Sequence, residues 1–99
     1  MLRVQAIVRM LATDEGGRRT SCSTGYRPTI RFGAVYTESS FTVAGDRLVM
    51  PGDECHVEIS FVNPSYVRRW LVAGQEFDVT EASRKVGHGR ILSVDQKEE

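Results

Sequence analysis

The chain has 99 residues, 40% hydrophobic and 26% charged, with 13 basic side chains against 13 acidic ones and no formal net charge. That length suits one domain spanning residues 1–99 around one modest core, and its apolar content offsets chain entropy well enough to exclude wholesale disorder. A dedicated nucleic-acid binder normally carries a basic excess, which this sequence lacks, although a local basic face is compatible with overall neutrality.

The first run, MLRVQAIVRML, is interrupted by Arg3, Gln5 and Arg9. It is too short and too polar for a signal peptide or a membrane span, so a cytoplasmic protein without membrane contact is expected. Val4, Ala6, Val8 and Met10 alternate with Arg3, Gln5, Ile7 and Arg9, the period of a strand with one dry face. Gly16-Gly17 turns the chain out of this strand, and Arg27-Pro28 restarts it before Ile30-Arg31-Phe32. A further strand passes through Phe41-Thr42-Val43 and ends at Ala44-Gly45-Asp46. Pro51-Gly52-Asp53 has the order of a type II turn, in which glycine takes the positive φ. The clearest alternation follows: Cys55, Val57, Ile59 and Phe61 against Glu54, His56, Glu58 and Ser60, closed by Asn63-Pro64. Phe77-Asp78-Val79 is the next strand, and Gly87-His88-Gly89 is expected in the last hairpin, at a bulge. The tail Asp95–Glu99 reads as a solvated end. No run has the length and caps of an ordinary helix. Short strands with a turn signal about every ten residues predict a small all-β antiparallel barrel or sandwich.

Three motifs carry a resemblance. Glu15-Gly16-Gly17-Arg18 follows the first strand, Gly25-Tyr26-Arg27-Pro28 opens the second, and Val49-Met50-Pro51-Gly52-Asp53 precedes the strand that ends in Asn63-Pro64. A weaker fourth runs through Arg84, Val86, Gly87 and Gly89. In order and spacing, from about Val4 to Val94, the chain resembles the third, C-terminal domain of elongation factor Tu. The resemblance implies an antiparallel β-barrel that packs against other protein domains and grips the T-stem backbone of aminoacyl-tRNA. It implies no nucleotide site, because the P-loop belongs to a separate domain and no G-x-x-x-x-G-K-[ST] occurs here.

Carried over position by position, the RNA-facing or anion-binding candidates are Arg18, Arg19, Thr29, Arg84 and Lys85. Arg19 stands where the family has histidine, Thr29 where it has glutamine, and uncharged Asn63 where it has lysine. Ala82-Ser83 replaces a glycine pair that would let the backbone approach a phosphate, and Gly33-Ala34-Val35-Tyr36 replaces a threonine-rich strand. These departures weaken tRNA binding as an implication.

The segment SYVRRWLVAGQ after Pro64 has no counterpart in the family. Tyr66, Arg68, Arg69 and Trp70 are of the types enriched at protein-interaction hot spots, and such residues also stack on bases. The other reading has Trp70 and Leu71 plugging one end of the barrel, with the arginines in water. His56 beside Glu54 and Glu58 reads as a cross-strand polar pair, and no nucleophile, metal-ligand spacing or cofactor motif accompanies it. Cys22 and Cys55, far apart and without a CxxC, are expected as free thiols. The sequence therefore predicts a non-enzymatic binding module without cofactor or metal. Its partner is an unidentified protein, or alternatively tRNA.

Overall fold

Six strands form where the period-two pattern places apolar side chains on one face. A computed structural model of the protein describes residues 2–96, apart from the Tyr66 and Gln96 side chains. The strands are β1 (Leu2–Met10), β2 (Thr29–Phe32), β3 (Val35–Val43), β4 (Glu54–Phe61), β5 (Glu76–Glu81) and β6 (Arg84–Gln96). They close an antiparallel barrel in the order β1-β4-β3-β2-β5-β6, with β6 returning to β1. Closure pairs the outer strands with each other, which removes most of the edge an open sheet would expose.

The alternation expected for β1 and β4 is the alternation seen. Val4, Ala6, Val8, Val57 and Ile59 are fully buried, and Phe32, Phe41, Phe61, Val79 and Ile91 join them from the other strands. Phe32 lies at one end of this core, with its ring near those of Phe61 and Phe77. Met50–Asp53 is the expected turn: the Asp53 N–H donates to the Met50 carbonyl at 2.9 Å, and Gly52 has φ 92°. Only short 3-10 turns occur besides strands among the described residues, at Thr13–Glu15, Ala44–Asp46, Pro64–Tyr66 and Arg68–Trp70. Among the described residues, no helix is long and apolar enough to cross a membrane.

Gly87-His88-Gly89 lies in the last hairpin, as expected, but within β6 rather than in the turn itself: Gly87 pairs with Val79 and Gly89 with Phe77. Glycine is needed there for space: a Cβ on Gly89 would stand 2.5 Å from Phe77 Cζ and 2.8 Å from the Ile7 carbonyl oxygen. The bulge falls just before it, where Val86 is the extra residue between Lys85, opposite Thr80, and Gly87. The hairpin turn itself is Ala82-Ser83, and both residues are left-handed, with φ 50° and 71°. A two-residue hairpin with both central residues left-handed is the type I′ arrangement. Ala82 and Ser83 therefore stand at positions whose backbone conformation favours glycine.

The barrel has two ends. One, the turn end, gathers Leu11–Pro28, Ala44–Asp53 and the Ala82-Ser83 hairpin. The other, the cap end, gathers Gly33-Ala34, residues 62–75 and the C-terminal part of β6.

Candidate interaction surfaces at the two barrel ends

At the turn end, the loop after β1 is held by its own side chains. The Ala12 N–H donates to the Glu15 carboxylate at 2.9 Å, and Arg9 pairs with the same oxygen at 3.2 Å. The Ala12 hydrogen bond and the Arg9 charge hold this carboxyl below its usual range. The Thr13 hydroxyl donates to the Arg18 carbonyl at 2.7 Å. Gly17 lies so close to the Leu11 carbonyl that no Cβ would fit.

Glu81 on β5 is the node of this end. It accepts from the Arg18 guanidinium and from the Tyr26 hydroxyl. Arg18 also lies over the Tyr26 ring, 4.8 Å from its centre, and donates to the Thr20 and Ser21 carbonyls. Burial pulls the Glu81 carboxyl up, but the Tyr26 and Arg18 hydrogen bonds and the Arg18 charge outweigh it and leave the group below its ordinary value. Burial, then Glu81, push the Tyr26 phenol upward. Tyr26 packs edge-on against Phe41 with ring centres 5.5 Å apart, so its apolar body belongs to the core and its hydroxyl to the node.

This geometry changes the standing of Arg18, which the sequence placed on an open loop within reach of an anion. Its charge is engaged by Glu81, and its side chain is only 21% exposed. Arg84 converges on the same group, 4.0 Å from Glu81, and its guanidinium reaches the Gly16 carbonyl at 3.5 Å. Lys85 does not join them. It stands on the outer wall, 3.3 Å from Asp78, which also binds Arg31. Thr29 lies on that wall too, its carbonyl accepting from the Thr80 hydroxyl at 2.9 Å. Arg19 is the one member of the five that is exposed with no ion pair among the described residues. Arg27, which the sequence did not single out as an anion candidate, shares that status.

At the cap end, two 3-10 turns fold residues 64–70 over the barrel mouth. Val67 and Leu71 are buried beneath them. Trp70 is half-buried and stacks on Phe32, with ring centres 5.7 Å apart and planes 2° from parallel. The Arg69 guanidinium lies 4.4 Å above Trp70. Arg68 and Arg69 are exposed, and neither has a carboxylate within ion-pair distance among the described residues. Tyr66 contributes backbone to the first turn, and its side chain lies outside the described part. The plug reading thus holds for Trp70 and Leu71, while the two arginines face water. Around this end stand Tyr36, Val62, Val72 and Leu92, all exposed. Sequence reading missed these four because Val62 and Val72 are isolated apolar residues in connecting segments, while Tyr36 and Leu92 stand at exposed positions of β3 and β6, outside the buried alternation.

The remaining polar groups pair locally. Gln5 donates to Glu58 and Asp95, both at 3.1 Å, and its carbonyl oxygen meets His56 Nε2 at 3.1 Å. His88 lies 3.5 Å from Glu76 and 3.7 Å from Asp78. No three of the described His, Cys, Asp or Glu residues are grouped to hold a metal ion. Cys22 and Cys55 are buried free thiols. Compared with known protein families, residues 1–95 match the one described as the elongation factor Tu C-terminal domain.

Proposed function

The chain belongs to the elongation factor Tu C-terminal domain family, and we propose that it is a non-enzymatic module that docks another protein through its cap end. One observation carries this reading. The cap end presents two arginines without carboxylate partners among the described residues, Arg69 lying over the Trp70–Phe32 stack, and four exposed apolar side chains at the same end. Arginine and aromatic anchors within an apolar surround are the composition of protein-interaction hot spots. The turn end, which the family resemblance would turn toward RNA, has Arg18 tied to Glu81, while Lys85 on the neighbouring wall is tied to Asp78. Arg19 and Arg27 remain there as the basis of a weaker alternative, a salt-sensitive grip on RNA.

The test is affinity capture of the tagged protein from its own cells at low salt, with and without RNase. Wild type is compared with the double variants Arg68→Ala/Arg69→Ala and Arg19→Ala/Arg27→Ala. The expected result is a stoichiometric protein that survives RNase and is lost only with the first pair. Recovery of RNA that elutes at moderate salt and is lost only with the second pair would overturn the assignment in favour of RNA.

A further inference from the structure

Strand β6 outruns its neighbour. β5 begins at Glu76, opposite Arg90, whereas β6 continues to Gln96 along β1. The chain before β5 does not fill the gap. It turns at Val72–Gln75, where the Gln75 N–H donates to the Val72 carbonyl at 3.2 Å. Its last contacts with β6 are both at Ile91: Gly74 N–H to the Ile91 carbonyl at 2.7 Å, and Ile91 N–H to the Gln75 carbonyl at 2.9 Å. Beyond Ile91, no backbone group of Leu92–Gln96 is bonded on the side away from β1 among the described residues.

We propose that Leu92–Gln96 is a strand-addition edge, and that the docked partner lays an extended segment of apolar and acidic residues against it. This rests on the protein-docking reading of the cap end and names the form the partner takes there. A free strand edge offers main-chain donors and acceptors in a fixed register, and main-chain pairing supplies affinity while alternate side chains supply specificity. The devices that usually blunt such an edge are few. A bulge sits at its start, where Leu92 is extra between the Ala6–Ile91 and Gln5–Ser93 pairs, and pairing is regular from Ser93 onward. The segment has no proline and no lysine. The side chains beside it set the partner's chemistry. Val72 and Leu92 are 52% and 39% exposed and offer apolar contact, and Arg68 and Arg69 on the same barrel end call for negative charge.

The test uses the full chain labelled with nitrogen-15 and a capped octapeptide of alternating valine and glutamate. A fully N-methylated counterpart keeps the side chains and charge but has no backbone donors. The expected result is amide shift changes confined to Leu92–Gln96 and Val72–Gln75. Binding should be at least tenfold weaker for the N-methylated peptide and at least tenfold weaker for Leu92→Glu, whose exposed site leaves the fold intact. Equal binding of the two peptides overturns strand addition. If that binding is also lost in Arg68→Ala/Arg69→Ala, the docking role of the cap end survives and only the edge falls. Absence of binding, or shifts confined to the turn end, overturns the edge for this chemistry. A concentration-dependent dimer that Leu92→Glu dissolves assigns the edge to a second copy of the chain and overturns the acidic partner.

Discussion

Replacing Glu81 with alanine tests the turn-end node directly. The carboxylate accepts from both Arg18 and Tyr26. A hydrogen bond to a charged group contributes about 1.5–3 kcal/mol, and the pair is partly open to water, with side-chain exposures of 21% for Arg18 and 29% for Glu81. Loss of both bonds, discounted for that exposure, should destabilise the fold by about 2–3 kcal/mol. For a domain of this size the midpoint of thermal unfolding should fall by roughly 10–20 °C, read by circular dichroism and checked by urea titration. Tyr26→Phe in both backgrounds isolates the hydroxyl's share, with a coupling energy of about 1 kcal/mol expected. The pH dependence has a definite sign. The Glu81 carboxyl is held below 4.5 in the fold, so its contribution is present above the unfolded value and disappears as pH falls through the lower folded one. The gap between wild type and variant should therefore close in acid. Removing Glu81 also releases Arg18 and Arg84, and binding to a polyanion such as heparin at low salt should tighten. A cost under about 0.5 kcal/mol, with unchanged heparin binding, would refute the node and return Arg18 to the pool of free cations.

Gly89→Ala puts a methyl group 2.5 Å from Phe77 Cζ and 2.8 Å from the Ile7 carbonyl oxygen; a loss of about 2–3 kcal/mol in urea unfolding is expected, and a neutral result would mean that β5 and β6 pack less tightly than described. Ala82→Gly and Ser83→Gly relieve left-handed residues at φ 50° and 71°, and each should stabilise by about 0.5–1 kcal/mol, visible as a higher thermal midpoint; destabilisation by either would show that the turn is not strained. Burial pushes the Cys55 thiol up to about 11, so a maleimide at pH 8 should label neither cysteine in the native protein and both after denaturation; fast native labelling would show that this end of the core opens.

Much of the barrel was legible because its signal is local. In β1 and β4, buried residues such as Val4, Val8, Val57 and Ile59 stand at every second position, and the Pro51-Gly52 turn announces itself by residue type. The first half of β3 was hidden because its inward positions are held by Thr37 and Ser39, buried but polar, so no apolar period appears. Ser39 is accommodated by donating to the Pro28 carbonyl at 2.8 Å, a bond that no sequence window contains. Likewise the need for glycine at position 89 was hidden, because the Phe77 ring and the Ile7 carbonyl that leave no room for a Cβ lie on other strands.

The sequence by itself determined the class of fold and the family, because alternation and turn chemistry act over a few residues and are written consecutively. The tertiary structure alone decided which charges are available. Arg18 and Glu81 are 63 positions apart, Trp70 meets Phe32 only when the cap closes over the barrel mouth, and the free length of β6 exists only because β5 starts later. Each of these depends on strand register and closure, which bring distant residues within a few ångströms, and an ion pair or a stack gains its energy only at that distance.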